Sequence, residues 1–143
     1  MYTFVILKND CIESKNVKNV MKAIENLGLE TVNKTIVIPN RQKLENHYIE
    51  YKDKSFFNDL ISRMENKEIV IMRVIGEDCI FKMRNLAGKA DCSELGTLRN
   101  KYGKGLHANI IHTSANEKDA CREINIWWEF FISEDVFYHN DLE

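Results

Sequence analysis

The run Asn109-Ile110-Ile111-His112 ends in a histidine and is followed at once by Thr113-Ser114, with Ser114 a candidate helix cap. A side chain at a strand end reaches the rim of a sheet, where clefts form. Imidazole is largely uncharged near neutral pH, so His112 can act there as a nucleophile and carry a covalent group, splitting a transfer into two steps. Taken alone, a histidine of this type and position reads better as structural or incidental. Lys8 closes the first apolar run, Arg84 lies off the apolar stripe of its helix, and Glu123 sits on the helix after His112. Each of these charges suits a solvated surface as well as an anion site. Cys11, Cys79, Cys92 and Cys121 show neither metal-finger spacing nor a CxxC pair, and Cys79 and Cys121 fall on apolar helix stripes where cysteine acts as a small hydrophobe. His47, His107 and His139 have no partners at ligand spacing, so no metal is assigned to them.

The elements that must position these groups follow from periodicity. The β-branched and aromatic runs 2–7, 31–38, 69–75 and 109–112 read as strands. Val17, Val20, Met21, Ile24 and Leu27 recur at helical spacing up to Gly28, which stops that helix. Asn40 can cap a helix carrying Leu44, Tyr48 and Tyr51. Ser55 can cap another with Phe57, Leu60, Ile61 and Met64 inward, leaving Phe56 off the stripe. Asp78 can cap a helix with Ile80, Met83 and Leu86 inward, closed by Gly88. Residues 97–102 read as a turn. Ser114 and Asn116 are candidate caps for a last helix with Ala120, Cys121, Ile124 and Trp127 on one face. The order suggests a ferredoxin-like α/β sandwich, a four-stranded antiparallel sheet with helices on one face. The 143 residues suit a single domain, 1–143, with residues from about 129 as a peripheral aromatic and acidic tail. The formal net charge of -2 argues against non-specific binding to nucleic acid or an anionic membrane. No apolar run approaches a membrane span, and the chain opens into a strand without a basic leader, so the expectation is a cytoplasmic protein.

Asn-Ile-Ile-His-x-Ser with Glu123 beyond it resembles the active-site signature of nucleoside diphosphate kinases. Further matches are collinear: Leu-Lys-Asn-Asp at Lys8, His47-Tyr48, Ser55-Phe56-Phe57 with Leu60, Arg84-Asn85-Leu86-x-Gly88, and Gly96-Thr97-x-Arg99. The likeness runs from Tyr2 to about Trp128, with a two-residue shortening between Gly88 and Gly96. It implies ping-pong transfer of the terminal phosphate between nucleoside tri- and diphosphates, through a phosphohistidine at His112. Glu123 would orient the His112 ring and Ser114 would hold Glu123, the logic of the third member of a triad. Lys8, Arg84 and Arg99 would gather around the phosphates, where charge spreads during transfer. Tyr48 and Thr97 would add hydroxyl donors, and Asn109 with Lys8 would reach the ribose 3′-hydroxyl. Phe56 would stack on the base, with Leu106 on its other side and Leu60 in the same substrate-binding set. Mg2+ would be held mainly by the nucleotide's phosphates, with no dedicated protein ligands. A homo-oligomer is implied, dimer-based, tetrameric or hexameric.

The sequence departs from the family at Asn9, Ala90, Thr113, Ala115 and Ala108. Thr113 replaces a glycine; its bulk narrows the space before His112, and a β-branched residue resists positive φ. These departures motivate the alternative of a kinase-fold nucleotide-binding or scaffold protein with weak or no turnover. An RNA-binding module is disfavoured by the absence of paired exposed aromatics on the strands and by the charge.

Overall fold

The computed structural model describes residues 1–132. Strands β1 (Tyr2–Leu7), β2 (Glu30–Val37), β3 (Ile69–Ile75) and β4 (Ile111–Thr113) form one sheet in the order β2-β3-β1-β4. Every pairing is antiparallel, and Ile6 stands opposite His112 and Ile71. Helices α1 (Asn9–Glu13) and α2 (Val17–Asn26) precede β2, while α3 (Arg41–His47), a short 3-10 turn (Ile49–Tyr51) and α4 (Phe57–Met64) precede β3. Then α5 (Cys79–Ala87) and α6 (Leu98–Tyr102) lead to β4, and α7 (Glu117–Phe131) follows it. The expected four-stranded antiparallel α/β sandwich is present.

The helices cover both faces of the sheet rather than one. β1 and β3 are apolar at successive positions, so neither face can be left to water. On one face Val5 and Leu7 pack with Val20 and Ile24 of α2 and Met83 and Ala87 of α5. On the other, Phe4 and Ile6 pack with Leu44 of α3, Ile61 and Met64 of α4, and Trp127 and Phe131 of α7. Paired with both β3 and β4, β1 is an inner strand, buried from Thr3 to Leu7.

Local signals set most helix ends. The Asn40 side chain accepts from the Lys43 N–H at 2.9 Å, and that of Asn116 from the Asp119 N–H at 2.8 Å, as cap residues do. Gly28 takes the left-handed conformation, φ +79, just past α2. Several expectations are revised. Residues 9–13, given no element in the sequence reading, form α1. Residue 56 rather than Ser55 precedes α4, without a side-chain cap, and Asp78 before α5 makes none either. Residues 97–102 hold α6. The aromatic stretch from Trp128 continues α7 to Phe131, because Phe131 falls one turn beyond Trp127 on the buried stripe Ala120, Glu123, Trp127. Cys121 is exposed, since its neighbour Ala120 takes the inward place. The expected tail beyond 132, including His139, lies outside the described residues. Among the described residues no helix is long and apolar enough to cross a membrane.

Leu7 is fully buried at the end of β1, where the strand leads into Lys8. Leu7→Ala should lower unfolding free energy by about 2–5 kcal/mol in urea titration, the range for a buried leucine that leaves a cavity. A loss below about 0.5 kcal/mol would mean that this strand end is not part of the core.

Candidate active site

β4 carries His112 at the sheet rim, and α7 returns over the sheet so that Glu123 points inward. The His112 Nε2 lies 2.9 Å from Glu123 Oε1. The Ser114 hydroxyl donates to the same oxygen at 2.8 Å, a shorter contact than its 3.3 Å approach to the Phe4 carbonyl, and it accepts from the Phe4 N–H at 3.2 Å. Glu123 is 3 % exposed, so burial raises its carboxyl above the usual range, while the Ser114 hydrogen bond and Arg122, 3.8 Å away, pull it back. A carboxylate can only accept, so the His112 proton sits on Nε2 and the lone pair on Nδ1. Burial, reinforced by Lys8, Arg99, Arg122 and Arg84, pushes His112 down to about 3. The ring is therefore neutral at physiological pH, as a nitrogen nucleophile requires.

Lys8, just past β1, donates from Nζ to Asn109 Oδ1 at 2.8 Å, and burial with the Arg99 charge lowers it to about 8. Asn109 is anchored in turn by donating to the Ala90 carbonyl at 3.2 Å. Arg99 on α6 donates to the Gly88 carbonyl at 2.8 Å and the Ile111 carbonyl at 2.7 Å, while its buried Nε has no partner. Gly88 must be glycine: its φ is +85, and a Cβ there would collide with the Thr97 side chain. Arg84, exposed on α5, adds charge felt at His112 and Arg99. The Tyr48 hydroxyl is buried without a partner, its ring 5.9 Å from that of His112. Lys8, Arg84, Arg99 and Arg122 thus all act on a neutral imidazole, and the Arg99 Nε and the Tyr48 hydroxyl are buried donors without a partner, an arrangement suited to an anion-transfer site.

The outer rim is apolar. Phe56 is 46 % exposed and lies 5.4 Å from Tyr51, which stacks on Tyr48 at 6.2 Å. Leu60 is half-buried against the core, and Leu106 is exposed. His107 approaches Asp59 of α4 at 3.6 Å, bringing the loop of Leu106 to the same rim as Phe56. Thr97 sits differently from its expected part as a hydroxyl donor. Its hydroxyl donates to the Glu94 carbonyl at 2.7 Å and accepts from the Asn100 N–H at 3.3 Å, so its proton is taken by a loop carbonyl while its oxygen caps the helix that bears Arg99. Thr113 occupies a regular strand position opposite Val5 and needs no positive φ, which removes that objection.

Two features escaped the sequence reading. His47, set aside there, is 1 % exposed, accepts from the Trp127 indole N–H at 3.0 Å, and packs its ring 4.5 Å from that of His112. Its place on the Leu44–Tyr48 face of α3 was the available signal. Ile110 has a φ of +61, the centre of a tight turn in which the Ile111 N–H meets the Asn109 carbonyl at 2.8 Å. No residue type marks that turn, since a β-branched side chain disfavours it.

A model of the family described as nucleoside diphosphate kinase matches residues 1–131. A nucleoside diphosphate kinase of Methanocaldococcus jannaschii is 34% identical over 137 residues, covering 94% of this chain and 96% of that protein. The apo crystal structure of the nucleoside diphosphate kinase from Encephalitozoon cuniculi superposes with a TM-score of 0.86 at 31% identity, covering 94% of this chain and 90% of that one. A transition-state mimic of the Borrelia burgdorferi enzyme with bound vanadate and ADP superposes with a TM-score of 0.80 at 28% identity, over 89% of this chain and 86% of that one.

The two buried histidines set a pH dependence of stability. Both His112 and His47 bind protons less readily folded than unfolded. Between about 3 and the unfolded value of 6.5, the unfolded chain therefore holds more protons on His112, and stability rises with pH across that window. Urea unfolding between pH 5 and 6.5 should show this rise, with His112 supplying on the order of 1 kcal/mol per pH unit. His112→Asn should flatten the slope; an unchanged slope would show that His112 is not held neutral.

Proposed function

The chain belongs to the nucleoside diphosphate kinase family, and on that premise we propose that it moves the terminal phosphoryl group of a nucleoside triphosphate, ATP among them, to a nucleoside diphosphate through His112. The observation that carries this reading is the neutral His112 ring, tied to Glu123 by one edge and set among Lys8, Arg84 and Arg99. The Nδ1 lone pair attacks the terminal phosphorus and forms the N–P bond. The bond from phosphorus to the bridging oxygen breaks, and its electron pair leaves with the diphosphate. The Nε2 proton stays shared with Glu123, whose charge stabilises the phosphorylated ring. A diphosphate entering in its place reverses these steps. Lys8, Arg84, Arg99 and the Tyr48 hydroxyl supply positive potential and donors where charge spreads over the moving group. Asn109, held by Lys8, is available to the sugar hydroxyls, and Phe56 with Leu60 and Leu106 offers an apolar rim to the base.

A kinase acting on nucleotides works with a divalent cation. Among the described residues, the only group of three or more metal-type side chains is His47, His112 and Glu123. That set is nitrogen-rich and unsuited to Mg2+, which prefers oxygen, so Mg2+ fits here as an ion carried by the nucleotide's phosphates, screening their charge when bound. A homo-oligomer and a cytoplasmic location belong to the same reading and are supported by the family likeness.

ATP with magnesium should leave an acid-labile, alkali-stable phosphate on the protein, and His112→Ala should remove it. A wild-type protein that takes up no label would sink the proposal. Glu123→Gln should lower kcat by about 10²–10⁴-fold with little change in nucleotide KM, as loss of a charged ring partner does. A kcat within threefold of wild type would leave Glu123 outside the mechanism.

A further inference from the structure

His47 is the buried titratable group against the site to which the reaction above gives no task. One of its nitrogens, one of His112's and an oxygen of Glu123 lie within 4.8 Å of one another. Such a cluster invites a metal, but the hydrogen bonding argues otherwise. The Trp127 indole is a donor only, and it donates to His47 Nδ1 at 3.0 Å. Nδ1 therefore bears the lone pair, and the proton of the neutral ring sits on Nε2, which is buried with no partner. Ligation through Nε2 would require an imidazolate. Ligation through Nδ1 would leave a buried indole N–H unpaired.

The same bond bears on His112. A neutral imidazole has one lone pair. Left free on His47, whose ring lies 4.5 Å from that of His112 at 77°, it would be a second buried acceptor competing with Glu123 for the His112 ring proton. Once Glu123 no longer holds its Nε2 proton, the His112 ring can shift that proton to Nδ1 or turn over, and Nδ1 is then no longer fixed as the free nitrogen. Trp127 removes that alternative by occupying the lone pair.

We propose that Trp127 and His47 form a positioning pair for His112: by tying up the His47 lone pair, Trp127 leaves Glu123 as the acceptor for the His112 ring proton and keeps Nδ1 as the nitrogen that takes the phosphoryl group. This rests on the phosphohistidine reading of His112. His47 and Trp127 touch no substrate; they act through the tautomer and orientation of the ring.

The test uses the full chain, phosphorylated with ATP and magnesium, with phosphorus NMR distinguishing Nδ1- from Nε2-phosphohistidine. Wild type should give the Nδ1 isomer. Trp127→Phe frees the lone pair and should yield a mixture of isomers, with kcat at least tenfold lower and nucleotide KM within twofold. Adding His47→Phe removes the lone pair again, so the double variant should recover the Nδ1 isomer and most of the lost kcat. A purely structural role predicts the opposite, a double variant worse than the single. The proposal is overturned if Trp127→Phe keeps the Nδ1 isomer alone with kcat within twofold, or if the second substitution restores nothing. Should Trp127→Phe not fold, nitrogen-15 spectra of the wild-type histidines decide. A protonated Nε2 and bare Nδ1 at His47, unmoved by added Zn2+ alone, support the pair, and the reverse tautomer or a Zn2+ shift overturns it. An unlabelled wild type would remove both readings, whereas a labelled wild type with insensitive variants removes this one alone.

Discussion

A single carboxylate oxygen, Oε1 of Glu123, holds this site together. It receives a hydrogen bond from Ser114 and another from His112, in an environment that disfavours its charge. Burying a carboxylate is costly unless its partners are in place, and truncating either partner leaves a desolvated charge behind. The inward turn of α7, the end of β4 and the strand contact of Ser114 with Phe4 are therefore conditions of one another. His112 gains its orientation from that arrangement and its neutrality from burial among cations. The features that make it a poor base are the ones that leave its lone pair unprotonated.

The cations illustrate the opposite problem. Lys8, Arg84 and Arg99 repel one another, and burial further lowers the affinity of Lys8 and Arg99 for their protons. Backbone carbonyls and an amide oxygen, rather than carboxylates, hold Lys8 and Arg99 in position. A salt bridge would quench the positive potential, whereas neutral acceptors fix the geometry and leave the charge available for an anion. The unpaired Nε of Arg99 and hydroxyl of Tyr48 are donors kept in the same way.

Much of this was legible before the fold was known, for reasons that differ by residue. β1 and β3 announce themselves because apolar residues at successive positions have one sensible home, inside a covered sheet. Phe56 was rightly left off the α4 stripe, since Phe57 fills the inward place. Thr97 was harder, because a hydroxyl that caps a helix and one that meets a phosphate have the same residue type and only the loop geometry separates them. Glu123 taken alone read as a surface charge, and only the family resemblance gave it a role, because the pattern of α7 shows spacing, not which buried partner makes a charge tolerable there. His47 was missed for a related reason. Its significance lies in Trp127, 80 positions along the chain, and local spacing carries no information about a pairing made only in three dimensions. Cys121 failed in the opposite direction, since one residue's rotation on a helix separates an inward place from an outward one.

The tight turn at Ile110 ties the strand of His112 to the first strand's end. Its carbonyl accepts from the Lys8 backbone N–H at 2.8 Å, its own N–H donates to Asp10 at 3.1 Å, and its neighbour Asn109 holds the Lys8 ammonium. A β-branched residue in that backbone region is under steric tension, on the order of 1–3 kcal/mol, and persists because the surroundings overdetermine it. The separation between cation and imidazole is thereby written into main-chain geometry. Surface side chains can drift through evolution while this internal ruler keeps its length.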